Sequence, residues 1–509
     1  MPCALVACIH VVRAVHLIAG AQPLKTYAPQ VTSPRAMMLK APEHVVALKG
    51  MFMLKVKRIS FMFGLLVALT LSATAQEAQT PVAQATPALV KPSLLPVQPA
   101  PQPDALAPDA VHDIQPLPTP TPVYGRLGLL VETSDGQVVK EYGADEQFNP
   151  ASTLKLATAL DALHTFGPRY RFSTVVWTTG TLDPQTGTIT GDLIISGRDP
   201  SFHYEHAVMV ARELNRLGIR TVTGDLIVAP MFTMNYSWSA RASGNNFYDT
   251  LDATRRPETA TRAWLEERNA LNDRESLLTT PSVAVMGAVY VAPVPPGARQ
   301  LLTHRSSPLV DILKVLLCYS NNFMAERLGD TMGGAAGLRQ FLISNVGLKP
   351  EEVQLDSTSG LGINRLSPRA MMKVYRALVA ELAEHNLAPS DIMSVAGVDP
   401  GTLEKRYAAS VSRGSVVAKT GTLGRSDGGV SALVGQMQAK SGETLYFVIF
   451  NQRGNVLRFR SMQDAIVSEI QFARGGPAPF TYTPHTLAMR LADTELKAAK
   501  PSEYESTSN

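Results

Sequence analysis

Cysteine is nearly missing from this chain of 509 residues, which has only Cys3, Cys8 and Cys318. The first two fall in an N-terminal stretch set aside below. The remainder therefore has no intramolecular disulfide and no cysteine-rich metal pattern. Cys318 follows Leu316 and Leu317, which suggests a packed thiol rather than a reactive one. Aromatic residues are scarce at 6%. A surplus of one charge is lacking too. The formal net charge is +4, but residues 1–75 hold eight Lys or Arg against the single acid Glu43, so the rest carries −3. A dedicated nucleic-acid binder would keep a basic excess, so that partner class is excluded. No Walker, dinucleotide or HExxH pattern occurs. The clustered histidines of His203-Tyr204-Glu205-His206 suggest a polar loop, and neither a metal nor another cofactor is expected.

Long apolar runs are also few. Ile59 to Leu71 is broken only by Ser60, Gly64 and Thr70. That is short for a membrane span, which takes about 20 residues. Lys55, Lys57 and Arg58 precede the run and Ala73-Thr74-Ala75 follows it, the pattern of a secretory signal peptide. The pattern starts at Met51 or Met53, so residues 1–50 are expected to be a mis-assigned extension and 51–75 the signal. Residues 76–123 are rich in Pro, Ala and Gln, and predict an extended linker. The protein should be exported to the periplasm or cell wall, with no transmembrane anchor in the mature chain.

What is present is globular: 45% hydrophobic and 18% charged residues. From Tyr124 onward the pattern predicts strands over 127–132 and 137–141, then a helix opened by Asn149-Pro150-Ala151-Ser152. Between 176 and 299 the texture becomes short strands and glycines. Thr188-Ile189-Thr190-Gly191-Asp192-Leu193-Ile194 is echoed by Thr221-Val222-Thr223-Gly224-Asp225-Leu226-Ile227, which suggests neighbouring strands in an inserted domain. Helical patterning returns over 308–330 and 366–385. Three antiparallel strands are expected over 415–422, 429–436 and 444–450, a closing helix over 455–473, and a mobile tail over 476–509.

Three short motifs carry chemistry. Ser152-Thr153-Leu154-Lys155 sits at a helix start, where residues three apart share a face and the amine lies beside the hydroxyl. Serine needs such a base, and lysine can serve if burial lowers its pKa. Ser320-Asn321-Asn322 offers a hydroxyl for proton relay and an amide for a carbonyl, although Tyr319-Ser320-Asn321 fits a second register. Ser243-Gly244-Asn245 also matches and is set aside as a loop. Lys419-Thr420-Gly421 lies on a strand: Lys419 supplies charge, Thr420 and Thr422 supply hydroxyls for a carboxylate, and Gly421 leaves room for a ligand backbone.

In this order and spacing the motifs form the S-x-x-K, S-D-N, K-T-G set of penicillin-binding proteins and class A β-lactamases. From Tyr124 to Gly475 the chain resembles the D-alanyl-D-alanine carboxypeptidase/endopeptidase family, the class C low-molecular-mass penicillin-binding proteins. Phe148 to Ser152, the two Gly-Asp-Leu strands, His304 to Leu309 and Ala418 to Leu423 support this. Asp356 to Gly362 departs from the family's D-G-S-G-L-S-R stretch.

The resemblance implies an α+β fold: a serine β-lactamase/penicillin-binding-protein-like antiparallel sheet of about five strands covered by helices. Residues 124–175 and 300–475 would form a split catalytic domain, with a β-rich domain (176–299) inserted between the first and second motifs. It further implies Ser152 as the acylated nucleophile, Lys155 as its base, Ser320 as proton relay and Asn322 as the orienting amide. Lys419, Thr420, Gly421 and Thr422 would receive the substrate, and the N–H groups of Ser152 and Thr422 would form the oxyanion hole. Expected partners are peptidoglycan pentapeptide stems and cross-links, with β-lactams as covalent inhibitors. Two rival readings are a β-lactamase, disfavoured because no Glu-x-x-Leu-Asn segment follows Ser320, and a non-catalytic peptidoglycan-binding scaffold.

Overall fold

The computed structural model describes residues 125–499. The proposed extension, signal peptide and linker lie outside the described residues.

Strand Val430–Gln438 is buried along nearly its whole length, so both of its faces are covered. It lies inside a six-stranded antiparallel sheet ordered Ser394–Val395, Val416–Leu423, Val430–Gln438, Thr444–Gln452, Arg126–Thr133, Val138–Tyr142. Side chains alternate between faces. Leu130, Val434, Val448 and Phe450 meet helices Lys155–Phe166, Leu309–Tyr319 and Pro368–Glu384 on one face. Leu129, Leu433, Phe447 and Ile449 meet Val467 and Ile470 of the closing helix Val456–Phe472 on the other. The first strand pairs with the last of the C-terminal three, Leu130 opposite Val448, so distant parts of the chain complete one sheet.

Between Ser173 and Arg305 the chain builds two further sheets around a separate core. Their root is the pairing of Ser173–Thr178 with Arg299–Arg305, slightly wider than the expected 176–299. The two echoed segments lie side by side and parallel: Thr188 opposite Thr221, Leu193 opposite Leu226. A third rung has no sequence echo. Ala284–Val285 and Val289–Val291 continue both sheets in parallel. The Asp192 carboxylate accepts the Asp225 N–H at 2.9 Å, and the Asp225 carboxylate accepts the Ala288 N–H at 2.7 Å. Gly191, Gly224 and Gly287 stack, and a Cβ on Gly224 would stand 2.6 Å from the Gly191 carbonyl oxygen. Gly224→Ala should therefore lower unfolding stability by about 1–3 kcal/mol, the usual cost of overpacking. Chemical denaturation checks this, and an unchanged midpoint would refute the stacking argument.

Four expectations need correction. The 308–330 helix is two helices, Leu309–Tyr319 and Asn322–Asp330, because Ser320 takes the left-handed conformation (φ 57°) and the Asn321 side chain caps the second helix. The region of Ser243 is not a loop but the helix Ala240–Leu251, capped by Ser239. The tail is not loose as far as the described residues run. Phe480 and Tyr482 pack on the main core, Leu487–Ala492 is helical, and Glu495–Ala498 adds an antiparallel strand beside Arg299–Arg305. Its few apolar side chains are too sparse to show a period, but Phe480, Tyr482, Leu487 and Leu491 pack on the main core, and Arg490 pairs with Asp311 at 2.7 Å.

His203 and His206 do not lie in a polar loop but close the N-terminus of helix Tyr204–Arg216. Donor-type atoms of His203, Glu205 and His206 fall within 4.8 Å of one another. Both ring nitrogens of His206 are already engaged, by the His203 N–H at 3.0 Å and the Leu491 carbonyl at 3.2 Å. Among the described residues no helix is long and apolar enough to cross a membrane.

Candidate active site

The turn Ala151–Leu154 enters helix Lys155–Phe166 through an unusual backbone, with Ala151 at φ 47°. Left-handed geometry at a residue with a Cβ must be held by its surroundings. Asn149 does part of this: its side-chain oxygen accepts the Ala151 N–H at 3.0 Å, while its amide donates to Asp427 at 2.8 Å. Gly360 also packs on the Ala151 carbonyl so closely that no Cβ would fit.

This turn presents Ser152 to a cleft of about 680 Å³ that is also lined by Ser320, Asn322, Thr420 and Thr422. Lys155 lies behind it, with no solvent exposure. Its Nζ stands 2.6 Å from Asn322 Oδ1, 2.6 Å from the Ser359 carbonyl and 3.1 Å from Ser152 Oγ. Burial pushes the amine down to about 7, partly opposed by the negative charge of Glu326. A neutral amine has two hydrogens and one lone pair. The two carbonyl-type acceptors can take both hydrogens, which leaves the lone pair toward the Ser152 hydroxyl. That is the arrangement of a base beside a nucleophile.

Lys419 is buried as well. It donates to Ser320 Oγ at 2.7 Å and to the Thr420 carbonyl at 2.7 Å. Burial, reinforced by the neighbouring Lys155, holds its pKa well below the ordinary lysine value. The left-handed Ser320 ends one helix and turns its hydroxyl to Lys419.

The family's sequence profile matches residues 125–253 and 258–471, under the description D-Ala-D-Ala carboxypeptidase 3 (S13) family. The chain belongs to this family. A carboxypeptidase of Mycobacterium tuberculosis is 28% identical over 385 residues, 69% of this chain and 81% of the relative. A D-alanyl-D-alanine carboxypeptidase of Actinomadura is 27% identical over 455 residues, 69% of this chain and 82% of the relative. Among solved structures, a penicillin G-acylated predatory endopeptidase of Bdellovibrio bacteriovorus superposes with TM-score 0.61 at 22% identity, covering 74% of this chain and 100% of the other. The shared fold is that of serine β-lactamases and penicillin-binding proteins.

Within this S13 chain the second motif has one register. Asn322 reaches Lys155, whereas Asn321 Oδ1 accepts the Met324 N–H at 3.0 Å and Tyr319 is exposed. Ser243 lies in helix Ala240–Leu251, packed within the 173–305 region, where its hydroxyl accepts the Met234 N–H. At Gly421 the space left by the missing side chain faces the chain's own Pro150 carbonyl, 2.7 Å from where a Cβ would stand. Gly421 thus lets the strand and the nucleophile turn touch. The charge expected on Lys419 is disfavoured by burial. Cys318 is fully buried, and burial pushes its thiol up to about 11.

Two contributors escaped the sequence reading. Glu326 accepts the Ser359 N–H at 3.0 Å and both the N–H and hydroxyl of Thr358, at 3.2 and 2.9 Å. It therefore fixes the carbonyl that holds Lys155. Its signal was present, since Glu326 lies four residues after Asn322 and shares its helix face. Arg460, in the closing helix, lines the cleft and donates to Thr422 Oγ1 at 3.0 Å. No local pattern links residues so far apart in sequence.

Proposed function

We propose that the protein is an exported serine-type D-Ala-D-Ala carboxypeptidase/endopeptidase that acts on peptidoglycan stem peptides and cross-links through an acyl-enzyme on Ser152. The observation that carries this is the Lys155 amine, buried, near neutral and 3.1 Å from Ser152 Oγ. Lys155 takes the hydroxyl proton as Ser152 Oγ bonds to the carbonyl carbon of the D-Ala-D-Ala peptide. Backbone N–H groups of Ser152 and Thr422 receive the oxyanion. Collapse breaks the C–N bond, and the proton reaches the leaving nitrogen through Ser320, held by Lys419. Asn322 orients both Lys155 and the substrate. Water then adds to the ester carbonyl and returns Ser152 to its free form. S13 relatives are named carboxypeptidases, and a structural neighbour is a peptidoglycan endopeptidase, which supports assigning the same substrate class to this chain.

A β-lactamase of the class A type would use a free carboxylate to activate the deacylating water. Asp464 lines the cleft, but Arg406 holds it at 2.6 Å. Glu326 is committed to Thr358 and Ser359. Penicillin should therefore acylate Ser152 and leave slowly. Intact mass after incubation with fluorescent penicillin is expected to show one stable adduct, absent in Ser152→Ala. Rapid adduct loss with hydrolysed drug would favour a β-lactamase. No adduct on folded protein would leave a peptidoglycan-binding scaffold.

A further inference from the structure

Lys155 can act as a base only if both hydrogens of its neutral amine are held away from Ser152. The two acceptors that hold them trace back to one face of helix Asn322–Asp330. Asn322 supplies the first directly, at 2.6 Å. The second is the Ser359 carbonyl, also at 2.6 Å, on a loop that Glu326 ties down. Glu326 Oε1 accepts the Ser359 N–H at 3.0 Å, and Oε2 accepts the Thr358 hydroxyl at 2.9 Å. The same loop meets the nucleophile segment twice more. The Thr358 carbonyl accepts the Thr158 hydroxyl at 2.6 Å, and Gly360 abuts the Ala151 carbonyl. One carboxylate thus anchors the loop that orients the base and braces the turn presenting Ser152.

That carboxylate also brings a charge. Among the described residues no ion pair neutralises it, and the adjacent Arg327 is turned away to Asp330, at 3.1 Å. Two charged groups act with the Lys155 amine: Glu326 from this helix and Lys419 from strand Val416–Leu423. Burial drives the proton off Lys155, and Glu326 opposes it. The repulsion between the two amines falls on Lys419.

We infer that Glu326 is a positioning residue for acylation: through Thr358 and Ser359 it aims the Lys155 lone pair at Ser152, and through its charge it sets the lowest pH at which Ser152 is acylated. This rests on the DD-peptidase reading and adds to it the group that limits the acid range of the enzyme. The two roles oppose each other at low pH. The carboxylate secures the geometry of the base but keeps it protonated longer. A neutral replacement should therefore lose rate at high pH and gain acid range.

The test is the pH profile of Ser152 acylation by fluorescent penicillin, in the purified full chain and its variants, with denaturation midpoints to show that each is folded. Glu326→Gln keeps the shape and removes the charge. Its plateau at high pH should fall roughly 10-fold, as for a lost hydrogen bond to a charged group. Its acid limb should move down by roughly one pH unit from the wild-type position, as for removal of a nearby opposite charge. Glu326→Asp keeps the charge but shortens the reach, so its plateau should fall and its limb stay. A purely structural role would lower the plateau in both and move neither limb. If Glu326→Gln does not fold, Thr358→Val decides: it breaks one tether and leaves the charge, so it should lower the plateau without moving the limb. A limb unmoved in Glu326→Gln, a limb moved as far in Glu326→Asp or Thr358→Val, or wild-type plateaus throughout would overturn the assignment of Glu326. Wild-type protein that forms no adduct at any pH would instead overturn the DD-peptidase reading, and with it this inference.

Discussion

Lys155→Met is expected to slow acylation of Ser152 by penicillin by roughly 10²–10⁴-fold, the usual range for a general base. Methionine keeps the volume and removes the lone pair. The argument depends on the amine being neutral when it acts. Its pKa is pushed down to about 7, so the wild-type acylation rate should climb as pH rises through 7 and then level off, and the variant should lose that step. Stability carries the same signature. Below pH 7 the amine is charged in both the folded and unfolded chain. Between about 7 and the ordinary value of 10.5 the folded chain has released the proton and the unfolded chain still holds it. The unfolded state then binds more protons, so stability rises with pH across that window. Wild type should gain on Lys155→Met there. Stopped-flow acylation and denaturation at several pH values check both effects. A profile flat through pH 7, or equal rates in the two proteins, would remove Lys155 as the base.

The largest effect on stability is expected away from the nucleophile, at Lys314→Met. Lys314 and Asp399 are fully buried and 2.7 Å apart. Lys314 also donates to the Ser390 and Met393 carbonyls, at 2.8 and 2.6 Å. Asp399 also accepts the Val395 N–H and the Tyr482 hydroxyl, each at 2.8 Å. Removing the cation alone leaves a buried carboxylate without its countercharge, and breaking such pairs costs about 3–5 kcal/mol. The double variant Lys314→Met with Asp399→Leu should recover much of that loss, because the uncompensated charge is gone. The consequence reaches the cleft. Asp399 holds the start of the segment that carries Thr402 and Lys405, and the Thr402 N–H donates to the Cys318 carbonyl beside Ser320. Urea denaturation of the three proteins gives the values. A single-variant loss under about 1 kcal/mol would mean that the pair contributes no more than a surface bridge.

These effects separate what neighbours in sequence can specify from what folding must bring together. Ser152 and Lys155 were legible because a helical turn places residues three apart on one face, whatever surrounds them. The three C-terminal strands were legible from short β-branched and apolar stretches such as Val416-Val417-Ala418, Ala432-Leu433-Val434 and Leu445 to Phe450, separated by turn residues. The echoed Gly-Asp-Leu segments pointed to neighbouring strands, and they do pair. Their third rung was missed because the Thr-Gly-Asp-Leu echo is reduced there to the single glycine Gly287, and the Ala288 N–H that meets Asp225 is a backbone group that almost any residue supplies. The ordered tail was missed for a related reason, since Phe480, Tyr482 and Leu487 act singly and make no period.

By itself, then, the sequence determined the family and the order of the three motifs that carry the proposed catalytic side chains. Local geometry and residue chemistry are fixed by covalent structure and helix or strand period. The tertiary structure alone decided the protonation of Lys155 and Lys419, because burial and mutual proximity set those pKa values. It decided the left-handed turn at Ser320 that selects Asn322 over Asn321. It also brought Glu326 to Ser359 and Arg460 to Thr422, contacts that exist only because helices and sheet pack at one particular distance.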